Sequence, residues 1–207
     1  MIRLAILGAS GHGKVVADAA ALCGWGHIDF FDDAWPERTA CGVWSVVGGS
    51  AQLLAAVDTY EGVVVAIGNN VIRRAKQQQL VQAGAVMATI VHPTAVVSKH
   101  AHMGAGSVVF ATAVINPFCE IGDGAILNTG CSVDHDCSLG AFVHVSPGAR
   151  LAGQVQVGDE SWVGIGASVR QLTTIGARVT VGAGAAVVSA VADDQTVIGV
   201  PARAVGK

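Results

Sequence analysis

The chain has 207 residues, room for one or two domains, and carries a formal net charge of −3 with no basic run, which removes nucleic acid and anionic membrane from the partner classes worth considering. Hydrophobic residues make up 52% of it and mean hydropathy is +0.54, yet Gly and polar residues interrupt every apolar run, so nothing approaches the roughly 20 residues a spanning helix needs. The five Cys are an odd number; they read as small core residues in a reducing cytoplasm, not as disulfides or ligands.

Taken in order, MIRLAILGAS lacks a signal peptide's long apolar core, so a cytoplasmic location is expected. Arg3 to Leu7 predicts a buried strand, followed by Gly8-Ala9-Ser10-Gly11-His12-Gly13 and a helix from about Lys14 to Leu22. Strand, glycine loop and helix open a nucleotide-binding βα unit: the glycines let backbone approach a phosphate, and the helix start presents unpaired N–H groups. A second strand near Ile28–Phe31 ends in Asp32-Asp33, where such folds bind a sugar hydroxyl or a base. Residues 34–49 read as loop. A helix over Ser50–Val57, a buried strand over Gly62–Ile67 ending in Gly68-Asn69-Asn70, and a helix over Val71–Ala83 stopped by Gly84 complete the region.

This amounts to half of a dinucleotide fold, in fewer than ninety residues where a full one takes well over a hundred. The loop also reads G-x-x-G-x-G and not G-x-G-x-x-G. Half a fold suggests a nucleotide-sugar handle and not a redox cofactor site; the bland alternative is a tight turn. The boundary is expected near residue 88, with an α/β nucleotide-sugar-binding domain over 1–88 and a second domain over 89–207.

From Val97 to Val191 the chain counts in sixes, through sixteen blocks without an insertion. The first place is always aliphatic or Met, from Val97 and Met103 to Val181 and Val187; the fifth is small or β-branched, as in Ala113, Cys119, Ala125, Cys131 and Cys137. Gly recurs at the second place, as in Gly104, Gly122, Gly140 and Gly158. A strict hexad is a solenoid signature: one unit cannot bury its apolar side alone, and stacked neighbours make a continuous core. A helix would need three- and four-residue spacing, which is absent. The pattern resembles the hexapeptide-repeat family of left-handed parallel β-helices, with three hexads to a coil and about five coils.

The order GASGHG, FFDD, AIGNN, HPTA, LNT, VDHDC, HVSPGARLAG and GVPAR covers almost the whole chain. It resembles the bacterial nucleotide-sugar acetyltransferases grouped with sialic acid O-acetyltransferases, and most of all the N-acetyltransferases of bacillosamine biosynthesis, which act on a UDP-linked amino sugar. The resemblance implies a homotrimer, with acetyl-CoA in a groove between adjacent β-helices and the nucleotide sugar on the α/β half-fold. It implies that Gly11, His12, Gly13, Asp32 and Asp33 contact the nucleotide sugar, with Gly68 nearby. His135 is then the general base, Asp136 its acidic partner where relatives often have Glu, and Asn128 helps frame the site. His144, Ile165, Ala183 and Gly184 follow along the acetyl-CoA groove, and a backbone N–H near Gly153 is the candidate donor to the oxyanion. No loop interrupts the hexads, whereas many sugar acetyltransferases carry one over the acceptor site.

His12 serves equally well as a loop residue capping its helix. His27, His92, His100 and His102 have no constellation around them and read as surface or turn residues. His135 stands at the third place of its hexad, outside the core, between Asp134 and Asp136, and either acid could orient it. His144 lies nine residues on, half a coil away and on a different face. A zinc site would need imidazoles converging on one ion, and His100 and His102 precede His135 by 35 and 33 residues, out of register with two coils. No metal is therefore expected. O-acetylation of sialic acid or another sugar is the alternative activity; a non-catalytic or metal-binding hexapeptide-repeat protein is the reading from another class, and a scaffold needs neither GASGHG nor DHD.

Overall fold

The computed structural model describes residues 2–205, and the chain separates into two compact units, 1–93 and 94–207. The first unit contains β1 (Arg3–Leu7), α1 (Gly11–Leu22), β2 (His27–Phe31), β3 (Ala40–Cys41), β4 (Trp44–Gly48), α2 (Ser50–Leu54), β5 (Gly62–Val65) and α3 (Asn70–Gln82). The sheet order is β3-β4-β2-β1-β5, with β1 parallel to both β2 and β5. Leu4, Ala5, Ile6, Val63 and Val64 are buried without interruption, as strands covered on both faces require.

Three local expectations change. Ser10 takes an extended N-cap conformation, so Gly11-His12-Gly13 are the first helical turn of α1 and not a loop before it. Residues 34–49 contain an antiparallel hairpin, β3–β4, whose second strand joins β2 in parallel. The helix opening at Ser50 stops at Leu54, and a short 3-10 turn follows at Val57–Thr59.

From Val96–Val97 to Ala186–Val187 each strand of the second unit is two residues long and consists of the sixth and first places of successive hexads. Val114 lies opposite Val96 and Ser132, Glu120 opposite His102 and Ser138, and Ile126 opposite Val108 and His144. Three parallel ladders therefore form the faces of a β-helix. First-place Ile115, Ile121 and Leu127 and fifth-place Ala113, Cys119, Ala125 and Cys131 are all buried inside it.

Its corners make two separate demands on glycine. The fourth place of every hexad from Gly106 to Gly184 has a positive φ, met by Gly six times and otherwise by residues such as Asp136 (φ 58) and Gln154 (φ 60). At the second place the reason is close approach: a Cβ on Gly122 would lie 2.6 Å from Ala141 N, and one on Gly158 2.5 Å from Ala177 N.

The count slips once, after Val187. Val191 pairs with Ile175 and Val197 with Val181, offsets of sixteen where all earlier coils have eighteen. Val191, expected at a fifth place, thus takes a first place. Asp193 accordingly receives Ala177 N at 3.0 Å, as Asp159 receives Ala141 N at 2.9 Å two coils earlier. The strand Thr196–Ile198 then turns back on Arg203–Ala204 in an antiparallel pair that ends the solenoid.

Candidate active site

The turn Asp134-His135-Asp136-Cys137 projects from one corner of the β-helix. Asp136 occupies the left-handed fourth place, which a short polar side chain tolerates better than most, and its Oδ2 lies 2.7 Å from His135 Nδ1. That conformation brings the shorter carboxylate to the ring without the extra methylene of Glu. Asp134 is engaged elsewhere: its Oδ1 accepts from His135 N at 2.8 Å and Asn116 Nδ2 at 2.9 Å. Of the two acids flanking His135, Asp136 is therefore the one bonded to the imidazole.

The hydrogen bond to Asp136 raises the His135 pKa above its ordinary value, with the charge on Asp134 adding to the effect. With Nδ1 donating to the carboxylate, Nε2 carries the free lone pair. One coil on, at the same hexad place, Gly153 stands directly against the ring: a Cβ there would lie 2.6 Å from Nε2. Gly153 N–H donates no hydrogen bond among the described residues.

A second feature lies on the face formed by Ile126, His144, Trp162 and Thr180. An apolar groove of about 410 Å³ is lined by His144, Ser146, Trp162, Ile165 and Ala183 among others. The His144 ring stacks on Trp162 with centroids 5.0 Å apart, and Trp162 Nε1 donates to Ser146 Oγ at 2.6 Å. Asn128 Oδ1 accepts from Thr129 N at 2.8 Å, which turns its Nδ2 toward His144 Nε2 at 3.2 Å. His144, Ile165 and Ala183 thus share one groove, with Asn128 behind His144 and Gly184 just past Ala183. Gly153, the candidate oxyanion donor, lies outside that groove's lining and faces His135. Sequence reasoning missed Trp162, although it sits one coil beyond His144 at the same hexad place. Within the chain, groove and His135 corner belong to different faces.

The α/β unit holds a pocket of about 270 Å³ lined by Gly8, Ser10, Asp32, Asp33, Gly68, Ile72 and Lys76 among others. Both carboxylates are anchored. Asp32 accepts from Ala9 N at 2.7 Å, Arg38 Nη1 at 3.2 Å and Ala34 N at 3.0 Å. Asp33 accepts from Lys76 Nζ at 2.8 Å and Ser50 N at 2.8 Å; the lysine, with the serine's help, holds its pKa down at about 2. Arg73, fully buried, ties together the wall after β5 by donating to Ile67 O at 2.9 Å, Gly68 O at 3.2 Å and Asn70 Oδ1 at 2.8 Å. Lys76, Arg73 and Arg38 carried no motif signal.

Gly11, His12 and Gly13 are not part of that pocket's lining. Gly13 is a packing glycine: a Cβ there would collide with Gly8 O and press on Phe30 at 2.9 Å. His12 is held neutral, its pKa lowered to about 4 by burial and by the nearby Arg73 charge. Gly11 alone faces open space. Among the remaining imidazoles, His27 bonds Asp29 and His100 stacks on Phe118. No three His, Cys, Asp or Glu among the described residues converge on a point that could hold a metal ion. No helix of the described residues is long and apolar enough to cross a membrane.

Residues 3–80 match the PglD N-terminal domain. No curated protein matches the chain. Among solved structures, the acetyltransferase domain of PglB from Neisseria gonorrhoeae FA1090, in complex with acetyl coenzyme A, is 44% identical, with 98% of each chain covered and a TM-score of 0.95. A variant of perosamine N-acetyltransferase from Caulobacter crescentus, with one histidine replaced by asparagine and with CoA and GDP-perosamine bound, is 38% identical over 99% of this chain and 97% of that one, with a TM-score of 0.94. WeeI from Acinetobacter baumannii AYE is 26% identical over 99% of this chain and 100% of that one, with a TM-score of 0.91. With such identity over nearly its whole length, the chain belongs to the hexapeptide-repeat nucleotide-sugar N-acetyltransferases, in which an α/β unit with the PglD N-terminal domain precedes a left-handed parallel β-helix.

Proposed function

We propose that this protein moves the acetyl group of acetyl-CoA onto the amino group of a nucleotide-linked amino sugar, a UDP-4-amino-4,6-dideoxy sugar of the bacillosamine type, for surface glycan or glycoprotein assembly. The observation that carries the reading is the His135–Asp136 pair, whose free Nε2 faces Gly153. The acceptor amine attacks the thioester carbon; the new N–C bond forms as His135 Nε2 takes the amine proton. Gly153 N–H stabilises the tetrahedral oxyanion, and CoA leaves when the C–S bond breaks, its thiolate collecting a proton. Asp136 fixes the tautomer and supports the imidazolium.

The groove with His144, Trp162, Ile165 and Ala183 is the place for acetyl-CoA, and the pocket at Asp33, Gly68 and Lys76 the place for the nucleotide sugar. That groove and His135 stand on different faces supports their being united by a neighbouring copy, in the homotrimer that the family resemblance implies. The enzyme works in the cytoplasm, where acetyl-CoA and nucleotide sugars are made. A GDP-linked 4-amino sugar is the second reading, supported by 38% identity to the enzyme that holds GDP-perosamine.

The test is acetyl-CoA with UDP- and GDP-linked 4-amino sugars, following thiol release and product mass. An acetylated UDP-amino sugar is expected; faster turnover of the GDP sugar selects the second reading, and acetylation of hydroxyls alone overturns both. Thermal shift ranks nucleotides independently, since ligand at a hundred times its Kd stabilises by about 2.7 kcal/mol. Sedimentation of active enzyme as a monomer would refute the trimer.

A further inference from the structure

The β-helix closes its corners in two ways. At the corner after the His144 face, the second-place carbonyl accepts its own turn's fifth-place N–H: Asn128 O from Cys131 N at 3.0 Å, Ser146 O from Ala149 N at 3.1 Å, Gly164 O from Ala167 N at 3.1 Å. In the turns Asp134–Cys137 and Ala152–Val155 no such bond forms among the described residues. Those turns carry His135 and Gly153 as their second members.

The gap is filled from the coil before. Cys119 Sγ donates to Asp134 O at 2.9 Å and receives the Cys137 N–H. Cys137 Sγ donates to Ala152 O at 3.2 Å and receives the Val155 N–H. The same slot is filled by oxygen at another corner. Ser107 Oγ donates to Gly122 O at 3.1 Å and accepts from Ala125 N at 3.0 Å, while Ser161 Oγ donates to Gly176 O at 2.6 Å and accepts from Val179 N at 2.9 Å. Recurrence with two elements shows that the slot takes an atom able both to donate and to accept. A side chain without one leaves an inward carbonyl and N–H unpaired, and the turn must shift to find partners.

We propose that Cys119 and Cys137 are positioning residues for acetyl transfer, their thiols bridging the two open turns and so setting the spacing between the His135 ring and the Gly153 backbone. Both thiols are buried and donate to backbone carbonyls. The inference rests on the reading of His135 as base and Gly153 N–H as oxyanion donor. The spacing between them matters, because a misplacement of about 1 Å can cost on the order of a hundredfold in rate.

The decisive variants are Cys119→Ala and Cys119→Ser, assayed under reducing conditions beside His135→Ala. Ala already occupies other fifth places, at Ala113, Ala125 and Ala149, so the fold accepts it. Cys119→Ala is expected to lower kcat about tenfold with both KM values within about twofold, and to move the acidic limb of the pH–rate profile downward as the ring loosens from Asp136. Cys119→Ser, which restores the bridge in its oxygen form, is expected to return kcat to within about threefold of the parent enzyme. Cys137→Ala repeats the kcat loss through Gly153 without the pH shift. Parent-like kcat and pH profile in Cys119→Ala, with only a lower Tm, would overturn the proposal, as would a Ser variant no better than Ala. An inactive His135→Ala beside a normal Cys119→Ala removes this inference alone; an active His135→Ala removes it together with the mechanism beneath it.

Discussion

Asp32 and Asp33 in the α/β unit accept five hydrogen bonds between them from Ala9, Ala34, Arg38, Ser50 and Lys76. At the β-helix corner Asp136 holds the imidazole through one oxygen, and the outer ring nitrogen meets a residue with no side chain. The first arrangement freezes a pocket wall, so its charges act as framework. The second leaves one basic atom available, which is what proton transfer needs. Substitutions at the corner should therefore be read in rate, and substitutions in the half-fold in affinity or stability.

The largest effect is expected from His135→Ala. General base catalysis contributes about 10²–10⁴-fold, so kcat should fall by that order with modest changes in KM for either substrate. More than half of parental turnover in that variant would end the mechanism. Gly153→Ala should come next, with kcat down more than about tenfold, because its Cβ would stand 2.6 Å from the Nε2 that takes the proton. Stability should hardly move, since the ring is exposed and free to swing aside. A large fall in Tm with rate intact would show that Gly153 serves the coil and not the reaction.

Asp136→Asn sharpens the comparison through pH. The base acts when neutral, so turnover rises as pH climbs through the His135 pKa, which Asp136 raises. Removing the carboxylate charge lowers that pKa, and the acidic limb should move to lower pH. A weaker base also accepts a proton less readily, so the plateau kcat should fall by about tenfold, less than for His135→Ala. Asn tolerates the left-handed conformation that this position requires, so the turn itself should survive. An unmoved limb would mean that the Asp136 contact does not govern the base.

These contrasts also explain what could be read in advance. The β-helix repeats one local rule, so places one and five are legible at every coil, and coil neighbours follow from an offset of eighteen. Trp162 was within reach by that offset from His144. The two-residue slip was not, because Val191 suits either a fifth or a first place. The half-fold offers no such rule. Asp33 and Lys76 are 43 residues apart and meet only through the sheet. On α3 the polar Arg73 and Gln77 are buried while Val71 and Ile72 are exposed, so the apolar pattern points away from the packed side. The hairpin over 40–48 has a first strand of only two residues, too short for alternation to register.

The smallest effect separates a glycine that serves packing from one that leaves room. Gly13 sits on the buried side of α1, where a methyl would collide with Gly8 O and lie 2.9 Å from Phe30. Backbone cannot yield cheaply there, so Gly13→Ala should cost about 1–3 kcal/mol of stability in the α/β unit, as overpacking does. Any change in nucleotide-sugar KM would then mix binding with damage to the fold. Gly11, two residues earlier in the same turn, has nothing within 4 Å of the point where a methyl would stand. In a helix Ala is favoured over Gly by up to about 1 kcal/mol, so Gly11→Ala should leave Tm unchanged or slightly raised. If the α1 N-terminus receives the pyrophosphate, that methyl intrudes on the ligand alone, and KM for the nucleotide sugar should rise about threefold with acetyl-CoA KM and kcat unaltered. An unchanged nucleotide-sugar KM would place the phosphates away from the start of α1, toward the Asp33, Gly68 and Lys76 pocket.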